Sequence, residues 1–385
     1  MVDPEERVRR DAVRRVLGGD PVAKVARELA RSEAWVRKWL ERFDPAGDSW
    51  AVSASRAPRT SPGATEAELV ALVLKVRSRL AENPWGQVGA AAIAWELSKL
   101  GVENPPPQRT IERILARAGT TRRTRREADR RPPKGKDYPA PCAQAPNALQ
   151  QIDWIGPRYL EGGQMLYVLN TVDLARHKVA GEVMGAKSSS AIVEALTSIW
   201  GRLGVPVRAQ FDNQQALAGS GLHLGQVVRF CLVQGVIPVF VPFSEPWRQG
   251  VVEHYNDTFD KRFFRTERFP DVSTLAARMA DFEDFHNAQH RYSALGGATP
   301  DEVEARARFK PRALKKRSTS KLTGTVEYIR FIRSDAKLHV LSAELPMPES
   351  LVYEYLTAVL TVETQQLAVH HHGEVVLTVP FPLSP

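Results

Sequence analysis

Cysteine is nearly absent: Cys142 and Cys231 are the only two in 385 residues, and they are far apart. They make no C-x-x-C pair, so neither a disulfide framework nor a thiolate zinc knuckle is expected. Long apolar runs are missing too. No stretch approaches the ~20 residues that span a bilayer, and the opening segment, MVDPEERVRRDAVRR, lacks the apolar centre of a secretory signal. These absences point to a soluble, cytoplasmic chain with no membrane partner, held to the nucleoid only through what it binds. Acidic charge is in deficit, with 53 Lys and Arg against 44 Asp and Glu, a net of +9. Residues 1–150 hold 28 basic and 19 acidic residues, while residues 151–385 hold 25 of each, so the whole excess lies in the N-terminal part. That asymmetry favours a polyanionic partner, most simply nucleic acid. The length predicts several domains rather than one.

The first domain, residues 1–45, reads as three short helices. Val8, Val13 and Val16 stripe the first, Gly18-Gly19-Asp20 breaks it, and Pro21 to Ala30 forms the second. Ser32 is placed to cap a third helix, in which Val36, Trp39 and Leu40 recur at helical spacing. Short helix, tight turn and helix form a helix-turn-helix pattern, with Arg31, Arg37 and Lys38 on or near the exposed face of the recognition helix. A Pro/Ser/Ala/Gly linker follows. Residues 64–120 repeat the theme, and Arg109, Arg113 and Arg117, spaced by four, share a face of the last helix that could track phosphates. A solvated helix face explains those three almost as well. Residues 121–145 form a basic, proline-rich linker, in which Arg122, Arg123, Arg125 and Arg126 would lie along a phosphate backbone.

The central domain, residues 146–310, has the order strand, strand, strand, helix, strand, helix, strand, loop, helix. The strands are read at 151–155, 165–173, 179–184, 205–211 and 237–241, and a basic helix is expected over 301–316. From about residue 320 the period changes to short alternating strands, which reads as a small all-β barrel or sandwich over 320–385. His370, His371 and His372 fall in that part. Neighbours on a strand point to opposite faces, which argues against a shared metal.

Three acids stand at element edges or inside apolar patterns: Asp153 in LQQIDWI, Asp212 after VPVRAQF, and Glu253 in the first turn of a helix after PWRQGVV. An acid within an apolar strand is costly unless a cation or partner compensates. Strands one and four, if paired, bring Asp153 beside Asp212, and the loop before Glu253 lets it reach both. Phosphoryl transfer on DNA uses two divalent ions clamped by such acids, and Mg²⁺ or Mn²⁺ takes oxygen ligands. A turn acid, an Asx turn with Asn213 and a first-turn dipole acid are the bland alternatives. Asp173 reads instead as a hairpin-turn residue beside Arg176. Glu182, Glu245, Asp257 and Asp260 are the other acids nearby, and Asn256, Asp257 and Asp260 share the outward face of the Glu253 helix.

Gln151-Ile152-Asp153-Trp154, the VDLARHKVAG segment at 172–181, Phe211-Asp212-Asn213, the segment Pro246 to Asn256, and His290 to Gly296 with Thr299-Pro300 resemble the integrase core of bacterial insertion-sequence transposases, of the retroviral-integrase superfamily. The resemblance covers about residues 145–305. It implies a ribonuclease-H-like α/β core with a D, D, E triad of Asp153, Asp212 and Glu253, each both catalytic and a metal ligand. It further implies two Mg²⁺ or Mn²⁺ ions, DNA element ends and target DNA as partners, and a homo-oligomer on DNA. The implied activity is that of a polynucleotidyl transferase that cuts and joins DNA during transposition. A catalytically silent DNA-binding regulator and a nuclease without joining activity are the rival readings. Forty residues separate Asp212 from Glu253, longer than the family usually has, and Gln214 stands where the family often has Gly.

Overall fold

The computed structural model describes residues 4–47, 49–53, 64–120, 136–219, 221–316 and 322–384. Arg122, Arg123, Arg125 and Arg126 therefore lie outside the described residues. The chain forms two compact units, Met1–Thr65 and Glu66–Pro385.

In the first unit α1 (Pro4–Leu17), α2 (Val22–Glu28) and α3 (Glu33–Glu41) enclose a small core of Ala12, Val25, Ala26 and Val36. Ser32 caps α3 by accepting from the Trp35 amide at 3.2 Å, as the residue type at that position leads one to expect.

The second unit opens with α4 (Ala67–Ala81), α5 (Ala90–Lys99) and α6 (Gln108–Arg117), packed around Val73, Ile93, Leu97 and Ile111. These helices are anchored on the domain that follows. The Trp85 ring meets Phe282 edge-on at 5.6 Å and its Nε1 donates to Glu267 at 3.0 Å. The Gln87 amide donates to the Arg291 carbonyl at 3.0 Å, and the Arg291 guanidinium lies 3.6 Å above the Trp95 ring.

The α/β domain is built on β1 (Leu149–Tyr159), β2 (Met165–Asp173) and β3 (Val179–Met184), an antiparallel meander, followed by α7 (Ser189–Leu203) and β4 (Arg208–Phe211). The short helix α8 (Gln215–Ala218) and α9 (Gln226–Val233) lead to β5 (Ile237–Phe240). β4 runs parallel to both β1 and β5, so the order across this part is β3-β2-β1-β4-β5. Alternation along the strands divides the core. Ile152 and Leu169 face α7 and α9, while Ile155, Val168 and Val172 face α10 (Gly250–Phe259) and α11 (Val272–Gln289). With both faces covered, β2 is buried along nearly its whole length.

Helix α12 (Pro300–Ala307) carries a capping box between Thr299 and Glu302. It stops at Ala307, and residues 309–316 run irregularly rather than continuing the helix as the sequence suggested. In this stretch the chain binds the approaches to β4 and β5 instead: the Arg312 carbonyl accepts from the Val205 amide at 2.8 Å, and the Lys315 amide donates to Gln234 Oε1 at 2.7 Å.

The separate C-terminal barrel or sandwich expected from the sequence is not what forms. β6 (Thr325–Phe331) pairs in parallel with β5, and β9 (Tyr355–Thr361), β10 (Gln366–His371) and β11 (Glu374–Pro380) continue outward, giving one nine-stranded sheet. Among the described residues, only β7 (Lys337–Val340) and β8 (Ala343–Pro346) stand apart, as a hairpin. The physical reason for the merger is shared core. Val326, Tyr328, Leu356, Leu360 and Leu367 belong to the same apolar cluster as Ile152, Ile192 and Phe211, and Tyr328 stacks on Phe240 at 5.3 Å. β6 also covers the open hydrogen-bonding edge that β5 would otherwise present. A chain truncated after residue 316 is therefore expected to lose cooperative thermal unfolding, which residues 64–385 retain. A detachable domain would leave the truncated core folded.

Candidate active site

The placement of the three acids follows from strand register. β1 and β4 pair in parallel with Gln151 opposite Gln210, and Asp153 and Asp212 each stand two residues further on. They are thus level with each other, Asp153 within β1 and Asp212 just beyond the end of β4. Asp153 shares its face of β1 with Ile155, the face on which α10 packs. Glu253 lies in the first turn of α10, whose Val252, Tyr255 and Phe259 are buried, and Glu253 itself is exposed. Asp153, Asp212 and Glu253 together line one open cleft of about 320 Å³, with Asn213, Gln214 and the segment Val241 to Pro246 along its other wall.

A set of buried amides fixes this geometry. Gln151, Gln210 and Gln249 are 4%, 2% and 4% exposed. The Gln151 amide donates to Gln210 Oε1 at 3.2 Å and to the Arg248 carbonyl at 3.0 Å, and its Oε1 accepts from the Val252 amide at 3.1 Å. The Gln249 amide donates to the carbonyls of Ile152 at 3.3 Å and Gln210 at 3.2 Å. The start of α10 is thereby bound to β1 and β4 beside both aspartates. A second chain crosses the face of the sheet: Asn170 donates to Asn256 at 2.8 Å, and Asn256 donates to Asp153 Oδ2 at 2.9 Å. Asp212 Oδ1 accepts from the Gln214 amide at 3.1 Å, and its Oδ2 accepts from the Gln214 side chain at 2.5 Å.

Behind the cleft, Arg330 of β6 is a buried guanidinium held by oxygen dipoles. It donates to the carbonyls of Val241 at 3.1 Å, Ile329 at 2.9 Å and His339 at 2.8 Å, and to Asn213 Oδ1 at 2.8 Å. Burial lowers its pKa to about 10. The loop before α10 is pinned similarly. Arg248 donates to Glu245 at 2.9 Å and to the Tyr355 hydroxyl at 2.8 Å, and lies 3.6 Å over the Tyr138 ring. In the sequence, Gln151, Gln249 and Asn256 stand inside the resembling motifs, but Gln151 and Gln249 carry no evident role there, and no motif marks Gln210, Asn170 or Arg330. The available signal was an amide or guanidinium set among apolar strand residues, where burial demands partners.

The other acids are accounted for. Asp173 and Arg176, both 0% exposed, form a buried pair, and Asp173 also accepts from the Asn147 amide at 3.0 Å, so its reading as a turn residue beside Arg176 fits. Asp257 is exposed and pairs with Lys261. Asp260, placed on the cleft side by helical spacing, is buried instead and binds Arg158 at 2.8 Å and Arg265 at 2.6 Å. Arg158, near the end of β1, covers this end of the helix face. Glu182 binds Arg202 at 2.7 Å. Among the basic residues, Arg31, Arg37, Lys38, Arg109, Arg113 and Arg117 are all exposed, with Arg31 against Glu5 at 2.6 Å and Arg37 against Glu33 at 2.9 Å.

Residues 3–49 match a family model for a homeodomain-like domain. That match coincides with α1 to α3. No curated protein matches the chain. Among solved structures, the chain is similar to the catalytic core domain of HTLV-2 integrase in complex with magnesium, with 17% identity over 42% of this chain and 99% of that one and a TM-score of 0.33. It is similar to the catalytic core domain of BIV integrase at 17% identity, 42% and 96% coverage and a TM-score of 0.33. A simian T-cell lymphotropic virus intasome in complex with a PP2A regulatory subunit gives 14% identity, 77% and 93% coverage and a TM-score of 0.38. At such scores the likeness adds nothing to what strand order and cleft already show.

Burial, with the nearby charges of Asp212 and Glu253, pushes the Asp153 carboxyl up to about 6, although the Trp154 amide and Asn256 favour its ionised form. Burial also raises Glu253. Because the folded value of Asp153 lies above its unfolded one, its contribution to stability is full below about pH 4 and declines as pH rises through about 6. Asp153→Asn removes that decline. In metal-free buffer the variant is expected to match wild type near pH 4 and to exceed it at pH 8 by on the order of 2 kcal/mol, measured as thermal midpoints at both pH values. An equal midpoint difference at both would mean that the carboxylate bears no uncompensated charge.

Proposed function

We propose that the protein is a DNA transposase of the integrase type, which binds element ends through its N-terminal helices and cuts and joins DNA strands at the cleft of Asp153, Asp212 and Glu253. The observation that carries this reading is that three carboxylates, from β1, the end of β4 and α10, line one open cleft, with Asp153 half-buried and raised to about 6.

The donor set suits hard divalent cations. All three acids offer oxygen, the Asp153 carboxyl is held against an electrostatic penalty that a cation would relieve, and the cleft is open to solvent and substrate. Asp153, Asp212 and Glu253 are the residues that would hold Mg²⁺ or Mn²⁺, two ions in this reading. When bound, such ions activate the attacking oxygen and neutralise the leaving one.

The chain's own groups prepare that site. Asn256 fixes the Asp153 carboxylate, Gln214 fixes that of Asp212, and the Gln151, Gln210 and Gln249 amides hold the first turn of α10 in place. Such positioning is most of what phosphoryl transfer asks of a protein. On the DNA side, α3 offers Arg37 and Lys38 on its exposed surface and α6 offers Arg109, Arg113 and Arg117 on its own. We assign both sets to phosphate or base contacts, with the homo-oligomer and target DNA as further partners.

The test is a full-length chain incubated with labelled DNA ends taken from the inverted repeats that flank its gene, with Mg²⁺ or Mn²⁺. Cleaved and strand-transferred products are expected from the wild type. Asp153→Asn, Asp212→Asn and Glu253→Gln should each lower both by at least about 10³-fold while retaining DNA binding. Asp257→Asn should keep most activity. Cleavage without joining would leave a nuclease, and an active Glu253→Gln variant would remove Glu253 from the site.

A further inference from the structure

The three consecutive histidines do not separate as strand alternation predicts. A register shift between Val369 and His370 and a left-handed His372, with φ of 49°, close the β10–β11 turn tightly. The rings of His371 and His372 consequently meet with centroids 4.0 Å apart. Glu354, just before β9, faces them. Its Oε1 receives the Lys136 ammonium, which leaves Oε2 turned toward His371 Nε2 at 3.9 Å. One donor atom from each of Glu354, His371 and His372 lies within 4.8 Å of the other two. His371 Nε2 is shielded from solvent and has no hydrogen-bond partner.

We propose that Glu354, His371 and His372 form a zinc site, separate from the acid cleft. Two imidazoles and one carboxylate are a donor set for Zn²⁺ rather than for Mg²⁺, which prefers oxygen. Ligand atoms about 2.1 Å from a tetrahedral ion stand ~3.4 Å apart, so the 3.9 Å gap closes with a shift of about 0.5 Å. Small side-chain rotations of Glu354 and His371 supply it, and His372, exposed and outside the sheet ladder, is free to follow. Lys136 need not leave, since it uses the other carboxylate oxygen. The protein supplies three ligands and water the fourth. A bound ion ties the lead into β9 to the β10–β11 turn.

The test is isothermal titration of the full chain with ZnCl₂ in excess Mg²⁺, paired with thermal melts. One zinc per chain is expected, with affinity in the micromolar range or tighter and a raised midpoint. His371→Ala, His372→Ala and Glu354→Gln should each weaken binding by at least about tenfold with little change in the metal-free midpoint. Asp153→Asn should bind as wild type does. Three results overturn the proposal: no saturable zinc binding, binding that survives the His371→Ala/His372→Ala double variant, or binding abolished by Asp153→Asn.

Discussion

Everything at the cleft rests on the amide clamp of Gln151, Gln210 and Gln249. The acids come from three elements that have no covalent reason to stay together, and Glu253 is carried by a helix that follows a loop. The clamp solves this with hydrogen bonds that are each ordinary but buried, where leaving one unmade costs about 1–3 kcal/mol. Gln151 is central because it satisfies three demands at once. It bonds across β1 to β4, takes the Arg248 carbonyl, and accepts the Val252 amide, one of the free N–H groups at the start of α10. Shortening any of the three glutamines would let the helix start move relative to both aspartates without touching an acid.

A second layer of constraint comes from the C-terminal strands. Because β6 continues the sheet past β5, Arg330 reaches back under the cleft and holds Asn213, the neighbour of Asp212. Because β9 lies beyond β6, Tyr355 meets Glu245 and Arg248 in the loop that leads into α10. The C-terminal strands therefore shape the cleft. Arg248 between the Tyr138 and Tyr355 rings further joins this loop to the segment entering the domain. Guanidinium groups suit such places, since they bind several oxygens in one plane and stack on rings.

Much of this was legible in the sequence, and the failures have physical causes. Strand order, the capped α3 and the level placement of Asp153 and Asp212 follow from local pattern and from pairing of two short apolar runs. The fate of β6 to β11 did not follow, because alternating strands look alike whether they close on themselves or extend a sheet. The choice depends on long-range packing such as Tyr328 on Phe240. Asp260 was misplaced because Arg158 of β1 covers its end of the helix face, a contact that helical spacing does not reveal, and His371 and His372 because a bulge and a left-handed residue break the two-residue period. A perturbed acid is also no sufficient guide. Glu283 is pushed up to about 8 by burial, yet it sits on α11 accepting from the Gly181 amide at 2.7 Å, away from the cleft. Asp153 differs in sharing its cleft with the carboxylates of Asp212 and Glu253, and with Glu245, which Arg248 already holds.

The central claim is that these three carboxylates form one site for divalent cations, and it can be measured without DNA or turnover. Mn²⁺ titrated into the full chain, followed by electron paramagnetic resonance of the free ion, should reveal saturable binding of two ions per chain. Asp153→Asn, Asp212→Asn and Glu253→Gln should each reduce it, with their folds intact by circular dichroism. Mn²⁺ binding indifferent to all three substitutions would contradict the claim and leave the acids as separate structural groups.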